Sequence, residues 1–412
     1  MTSPTSLLAD PSVAGQPFDY YEALRALGPV HLDPQFGFYL VIGHAEVQRV
    51  LREHDLFSSR VIGLLGGSLS QQPYRKSVAE IVEQGWPHLE VLNFADRPAH
   101  TRHRALVSQG FLPRRVALLE PKIQAFAESF VAPWPDEGEL DLVAAYTSQI
   151  PVAVLGEALG VPEGDRHRFL TGSDAVFRRL GSALTEEQDI AAAREVLELQ
   201  RFMADLVGQR RAGEFDDMLS DLVHARADDM EPFTTSELLS IITTLLTAGH
   251  ETTCNGMGST ILQLLRAPSR LAAVRADRAL LRPLIEETLR LRSPVQMLWR
   301  LTTTDVDLGG TVIPAGSVVQ AVYGAANLDA GAFDEPAQLC PGRPNIKSHM
   351  AFGHGIHHCL GAALARIEIE TAINVLLDTF GTLELASAEP PRYLANFVVH
   401  GLAELPVRFR RG

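Results

Sequence analysis

Apolar residues recur along this chain mostly three and four positions apart. Tyr20, Tyr21, Leu24 and Leu27 begin that spacing, which is the period of a helix with one buried face. Phe36 to Ile42 (FGFYLVI) instead reads as a short strand, followed by a helix around Glu46–Arg52. Residues 61–92 mix Gly, Ser, Gln and Pro with apolar positions and read as a long loop with a helical piece. From 98 to 290 the spacing is helical, interrupted at Pro113, Pro133, Pro135, Pro162, Pro232 and Pro268. Residues 295–325 switch to β-type spacing, with Thr311–Ile313 and Ser317–Tyr323 on either side of the Pro314-Ala315-Gly316 turn. An irregular stretch, 329–358, precedes a last helix from about 360 to 380, and short strands near Tyr393–Val399 and Glu404–Phe409 close the chain. Residues 1–18 read as a loose polar lead. With no repeat and no linker, the pattern predicts one compact unit over 1–412, mainly α with a minor β portion.

One helix stands out. Thr234-Thr235-Ser236-Glu237 has capping-box form, and no proline follows until Pro268. That predicts a helix of about 30 residues and roughly 45 Å, long enough to cross a domain. Its middle, Ala248-Gly249-His250-Glu251-Thr252-Thr253, is poor helix material. A bond from Thr252 back to the Ala248 carbonyl is expected to open the helix there; a buried helix that tolerates a glycine is the plainer account.

Composition narrows the class. Of 412 residues, 46% are hydrophobic and 21% charged, which excludes a disordered or low-complexity chain. The net charge of −14 argues against nucleic acid as a partner. Three scattered cysteines make no disulfide framework and suit a reducing compartment. The N-terminus has no secretion signal and no stretch is long enough to span a membrane, so a cytoplasmic protein without a membrane anchor is expected.

The candidate chemistry gathers at residues 351–361, Ala-Phe-Gly-His-Gly-Ile-His-His-Cys-Leu-Gly, just before the last amphipathic helix. Cys359 is therefore expected at a helix N-terminus, where free N–H groups and the dipole favour a thiolate. Gly353, Gly355 and Gly361 clear side chains from around it, so that a flat ligand can come close. Such a thiolate suits an axial iron ligand. An isolated cysteine is ordinarily a small buried hydrophobe, the expectation for Cys254 and Cys340. A rival set, His354, His357, His358 and Cys359, offers zinc ligands, although adjacent His357 and His358 cannot readily point at one metal.

The run Phe352-x-x-Gly355-x-x-x-Cys359-x-Gly361 resembles the haem-binding loop of the cytochrome P-450 family, the haem-thiolate monooxygenases, and the absent membrane anchor is that of the soluble bacterial type. Three further motifs follow the family's order and spacing. Ala248-Gly249-x-Glu251-Thr252-Thr253 resembles the oxygen-activation segment of its long distal helix. Glu287-x-x-Arg290, with Arg343 before the cysteine, resembles the structural pair that locks the proximal core, and His100-x-x-x-Arg104 resembles the helix that holds the haem propionates.

The resemblance implies a single fold with haem b lying between the long helix and the loop of Cys359. It implies a monooxygenase that uses O₂ on a small or medium hydrophobic substrate. Phe352, Gly353, Gly361 and Ala248 would border the haem, and His100, Arg104, Arg300 and His357 would hold its carboxylates. Glu251 and Thr252 would deliver protons. Thr244, Thr247, Val295, Met297, Phe397 and Val398 occupy the family's substrate positions. Electrons would come ultimately from NAD(P)H through a separate ferredoxin or flavodoxin-type donor, with Arg114, Arg115, Lys347 and Arg366 as a basic docking patch. A peroxide-driven peroxygenase on the same haem, or a non-catalytic member serving as an interaction partner, are the alternatives. The chain departs from the family at Asn327-Leu328-Asp329-Ala330, which lacks the usual Arg and Pro, and at Cys340, where an acidic residue is usual.

Overall fold

The computed structural model describes residues 10–61, 76–181, 184–226 and 230–412. They are mostly helical, with three small sheets. The chain gathers into two compact units. One comprises Met1–Ser58, Glu120–Ile150 and Glu251–Gly412, the other Ser59–Leu119 and Pro151–His250. Three of the crossings fall inside the helices Pro113–Val131, Gln149–Ala158 and Thr235–Leu265, so no linker marks the division in the sequence.

Among the described residues the strands all lie in the first unit: β1 (Val30–Leu32), β2 (Tyr39–Val41), β3 (Phe57–Ser58), β4 (Glu137–Asp141), β5 (Met297–Thr302), β6 (Val306–Leu308), β7 (Thr311–Ile313), β8 (Val318–Val322), β9 (Phe380–Leu385) and β10 (Pro406–Arg411). The largest sheet has the order β1-β2-β8-β5-β3, with β2 and β8 parallel and the other pairs antiparallel. Alternation sorts its side chains to two faces. Leu40, Met297 and Val322 pack with Tyr20, Tyr21, Leu24 and Phe38, while Val41, Val319 and Ala321 pack with Val47, Val50, Leu51 and Phe57. A second sheet, β4-β10-β9, sits by Trp134, whose ring meets Tyr146, Phe380 and Phe409. β6 and β7 form a hairpin. Strand β4 (EGELD) is an edge strand without apolar alternation, which is why the periodicity reads through it as helix. The expected strand at Tyr393–Val399 is present only as isolated bridges, Val295 to Val399 and Tyr393 to Leu402.

The N-terminal lead is not loose over its described part. Pro11–Ala14 is a helical turn, Ala14 is buried, and the Phe18 ring meets Tyr21 and His400 edge-on. Of the loop read at 61–92, residues 62–75 lie outside the described residues; its helical piece is Lys76–Val82.

The second unit is helical. Val78 and Ile81 pack against Ala193 and Leu197 of the helix Glu186–Ala212, which Thr185 and Gln188 start with a capping box. The long helix, Thr235–Leu265, has its expected cap: Glu237 accepts from the Thr234 N–H at 2.8 Å, and Thr234 Oγ1 from the Glu237 N–H at 3.2 Å. It continues without interruption through Thr252 and does not open there. Its glycines serve close packing instead. A Cβ on Gly249 would meet Leu155 at 2.9 Å, and one on Gly256 would meet Ile369 at 3.0 Å and Leu289 at 3.1 Å. No helix among the described residues is long and apolar enough to cross a membrane.

Candidate active site

The C-terminal helix is Ala362–Thr379 with Gly361 as its N-cap. Cys359 thus lies two residues before the cap rather than in the first turn, because its loop closes first. The Cys359 N–H donates to the Phe352 carbonyl at 2.9 Å, the His358 N–H to Gly355 at 3.1 Å, and the Gly353 N–H to Met350 at 2.9 Å. Gly353 and Gly355 take left-handed φ angles of 67° and 69°, a conformation that only glycine adopts cheaply. A Cβ on Gly355 would stand 2.5 Å from the Leu51 carbonyl oxygen, whereas one on Gly353 would meet nothing nearer than Tyr323 Oη at 3.8 Å. The loop therefore presses on the helix His44–Arg52 at Gly355, while Gly353 has only ordinary contacts around it.

The three cysteines differ. Cys254 is buried beside the Thr147 hydroxyl at 3.3 Å, as expected of packing; Cys340 is exposed, against the expectation that it is buried, and Cys359 is exposed as well. The zinc reading fails on geometry. His354 Nε2 accepts from Arg52 at 2.8 Å, and burial together with that guanidinium lowers its pKa. Among the described residues the four candidate ligands do not converge on one point.

Under the loop lies a buried charge network. Arg290 donates to Glu287 at 3.0 and 2.7 Å, and Arg343 Nε to the same carboxylate at 3.1 Å. Arg290 also reaches the carbonyls of Asn327, Pro336 and Gln338. Asn327 in turn accepts the Met350 N–H at 2.7 Å and donates to Ser293. One carboxylate thus ties the helix Leu281–Leu291 to the residue that opens the cysteine loop. Burial raises the Glu287 carboxyl, but the guanidiniums and the Cys340 N–H outweigh it, and its pKa is lowered. Cys340 contributes that backbone N–H, at 3.1 Å, so its departure from the family pattern costs the network nothing.

The basic docking patch is altered. Arg366 is held by Glu286, shared with His349, and lies 4.2 Å from the centre of the Phe352 ring. Burial pushes the Glu286 carboxyl up, and bonds from His349 and Arg366 bring it to about 2. Arg115 is bound by Asp216 and Asp221. Neither arginine offers an uncompensated charge to a partner.

His100 and Arg104 stand one turn apart on the helix Ala99–Val107, with His100 buried. Burial, then Arg104, His103 and Arg97, lower His100 to about 4, so it is neutral at pH 7 in a cationic neighbourhood. Arg300, also buried, donates to the Trp299 carbonyl at 2.7 Å and lies close enough to Tyr323 to oppose the rise in its pKa. His357 ends the short turn Gly355–His357. Arg104 and Arg300 carry charges, and His100 and His357 ring N–H groups, that can each bind a carboxylate; the exposed Cys359 suits a thiolate ligand to the iron of a porphyrin bearing such groups.

Ala248, Glu251 and Thr252 lie in mid-helix. The hydroxyls of Thr244 and Thr247 donate to the carbonyls of Ser240 and Thr243 at 2.8 and 2.9 Å, leaving only lone pairs for a substrate. Met297 is fully buried among the core residues around Tyr20 and Leu24. Val295 and Phe397 are partly exposed against the two core clusters, and the Val398 carbonyl accepts from the Gln296 N–H at 2.7 Å. A cavity of about 750 Å³ within the second unit, lined by Leu89, Val91, Arg97, Arg102 and Met230, contains none of the expected site residues. The sequence reading missed Ser173, whose hydroxyl lies 3.0 Å from Nδ1 of buried His250; a serine in an amphipathic helix carries no signal of such a distant partner.

The comparisons with known proteins agree. The cytochrome P-450 family model matches residues 192–405. The cytochrome P-450 monooxygenase PikC of Streptomyces venezuelae is 36% identical over 97% of this chain and 92% of its own length. The vitamin D(3) 25-hydroxylase of Pseudonocardia autotrophica is 37% identical over 76% of this chain and 75% of its own. The solved structure of cytochrome P-450 CYP109Q5 from Chondromyces apiculatus superposes with a TM-score of 0.86 at 32% identity, covering 98% of each chain. Similar in sequence over nearly its whole length and in fold throughout, the chain belongs to the cytochrome P-450 family of haem-iron oxidoreductases.

Proposed function

We propose that this enzyme inserts one oxygen atom into a small or medium hydrophobic molecule in the cytoplasm, and that the Cys359 sulfur would hold the iron of haem b. The observation that carries the reading is the Cys359 loop, closed by the bond to Phe352 with the cysteine left exposed. Haem, when bound, supplies the reductive activation of O₂ that the family performs. The remaining roles fall to this chain's own groups. Phe352, Gly361 and Ala248 would border the ring, Arg104 and Arg300 would balance the charge of its carboxylates, and His100 and His357 would donate hydrogen bonds to them, since carboxylates are otherwise costly to bury. Glu251 would gather protons from water, and the Thr252 hydroxyl would hold a water by hydrogen bonding and pass a proton onward from its Oγ1.

Thr244, Thr247, Val295, Phe397 and Val398 offer apolar surface with a few hydroxyl lone pairs, suited to a hydrophobic molecule of limited polarity. The relative named for hydroxylating vitamin D(3) acts on such a compound. Electrons come from NAD(P)H through a separate ferredoxin or flavodoxin-type protein.

The test replaces Thr252 by Ala in the haem-loaded chain, supplied with a surrogate ferredoxin, its reductase and NADH. Terpenes, steroids, fatty acids and aromatics are first ranked by the spectral shift they cause, and the best is used as substrate. Peroxide released per NADH is expected to rise severalfold at the expense of product; unchanged coupling would remove the proton-delivering role from Thr252.

A further inference from the structure

Outside the residues assigned so far, the second unit brings together an exposed acid and a buried imidazole. His250 occupies the middle of the helix Thr235–Leu265, one residue before Glu251, and is only 3% exposed. Its Nδ1 lies 3.0 Å from Ser173 Oγ, and Ser173 is wholly buried on the helix Arg166–Gly181. Asp174 is the next residue of that helix and is exposed to solvent. A carboxylate oxygen of Asp174 comes within 4.8 Å of a His250 ring nitrogen, a distance that one side-chain adjustment or one water closes. A buried polar ring ordinarily has a hydrogen-bond partner, and Ser173 supplies it. That explains the serine but not the acid beside it.

We propose that Asp174 and His250 form the outer half of the proton supply to Glu251, with Ser173 as the positioning residue that fixes the imidazole. The inference rests on the reading of Glu251 and Thr252 as the proton-delivering pair. One proton moves inward per cycle and no electron is transferred. Water protonates the Asp174 carboxylate. The carboxyl passes that proton to the neutral His250 ring, and Asp174 returns to its anion. The imidazolium then gives a proton to the Glu251 carboxylate and becomes neutral again.

Proton affinities support the route. Partial desolvation by its neighbours raises the Asp174 carboxyl to about 6 although the residue keeps solvent contact, opposed by Arg178 and assisted by Glu195. A carboxyl that titrates near neutral pH both takes up and releases a proton readily there. Arg178 and Glu195 pair with each other beside Asp174.

The test uses the full haem-loaded chain with surrogate ferredoxin, reductase and NADH, the donor in excess, and follows oxygen consumption in H₂O and D₂O. Asp174→Asn and His250→Gln are expected to slow it by about tenfold and to at least double the solvent isotope effect. The glutamine can keep a hydrogen bond to Ser173 but carries no proton, so a structural role would leave both readings unchanged. The carbon monoxide spectrum of the reduced variants reports folding and cofactor binding, and the exposed Asp174→Asn change is the safeguard should His250→Gln fold poorly. A second readout needs no turnover. In the ¹⁵N-histidine NMR spectrum, the His250 ring signal is expected to shift with pH through the titration of Asp174 and to lose that inflection in Asp174→Asn. Unaltered rates, isotope effects and ring titration, with Thr252→Ala still diverting electrons to peroxide, would overturn this inference alone. A Thr252→Ala enzyme that stays coupled would overturn the reading beneath it as well.

Discussion

Arg290 grips the carboxylate of Glu287 with hydrogen bonds of 3.0 and 2.7 Å, and neither side chain exposes any surface to solvent. A buried pair of this kind is worth little against an apolar replacement of both partners but is costly to break on one side. Glu287→Gln leaves the guanidiniums of Arg290 and Arg343 without their shared anion, and we expect a loss of about 3–5 kcal/mol in denaturant unfolding. Arg290→Lys is not expected to rescue, because an ammonium cannot span Glu287 and the carbonyls of Asn327, Pro336 and Gln338 together. Unfolding of Glu287→Gln at the parent midpoint would contradict this.

Gly355 carries both a backbone and a contact constraint. Its φ of 69° strains any side chain, at about 1–3 kcal/mol, and a Cβ would press on the Leu51 carbonyl at 2.5 Å. Gly310 has a similar φ of 80° with nothing within 4 Å of its Cβ position. Gly355→Ala is expected to lower the melting temperature more than Gly310→Ala and to weaken haem retention, since the glycine lies in the cysteine loop. Equal effects of the two alanines would show that the close approach to Leu51 is unimportant.

Glu368 is buried, and burial raises its carboxyl from 4.5 to about 8. The folded chain therefore keeps a proton that the unfolded chain has released between these values, so this group's contribution to stability is present below about 4.5 and is lost as pH rises to about 8. Glu368→Gln removes that dependence. Its melting temperature is expected to match the parent near pH 4.5 and to exceed it increasingly toward pH 8; parallel curves would refute the assignment. Glu286, held at about 2, has the opposite sign: its contribution is present above 4.5 and is lost as pH falls to about 2.

The legible parts of the sequence were those written in local chemistry. The Thr234–Glu237 cap, the helix ending before Pro268 and the turn between β7 and β8 each depend on residues within a few positions of one another. The cysteine loop was legible because its glycines are required by backbone geometry. Strand β4 was not, since its pairing with β10 is supplied by residues far along the chain. Nor was the burial of Met297, because alternation on β5 does not say which face is core when both are covered. Arg366 looked available to a partner because Glu286 is 80 residues away. Ser173 and His250 meet across 77 residues for the same reason.

The proposed function depends above all on a bond between the sulfur of Cys359 and haem iron. The absorption spectrum of the reduced, carbon monoxide-bound protein, beside that of Cys359→Ser, tests that bond directly. The long-wavelength band of a thiolate-ligated haem is expected in the parent and is expected to be absent from the variant. A parent that stays colourless after haem reconstitution, or a Cys359→Ser protein with the same band, would contradict it.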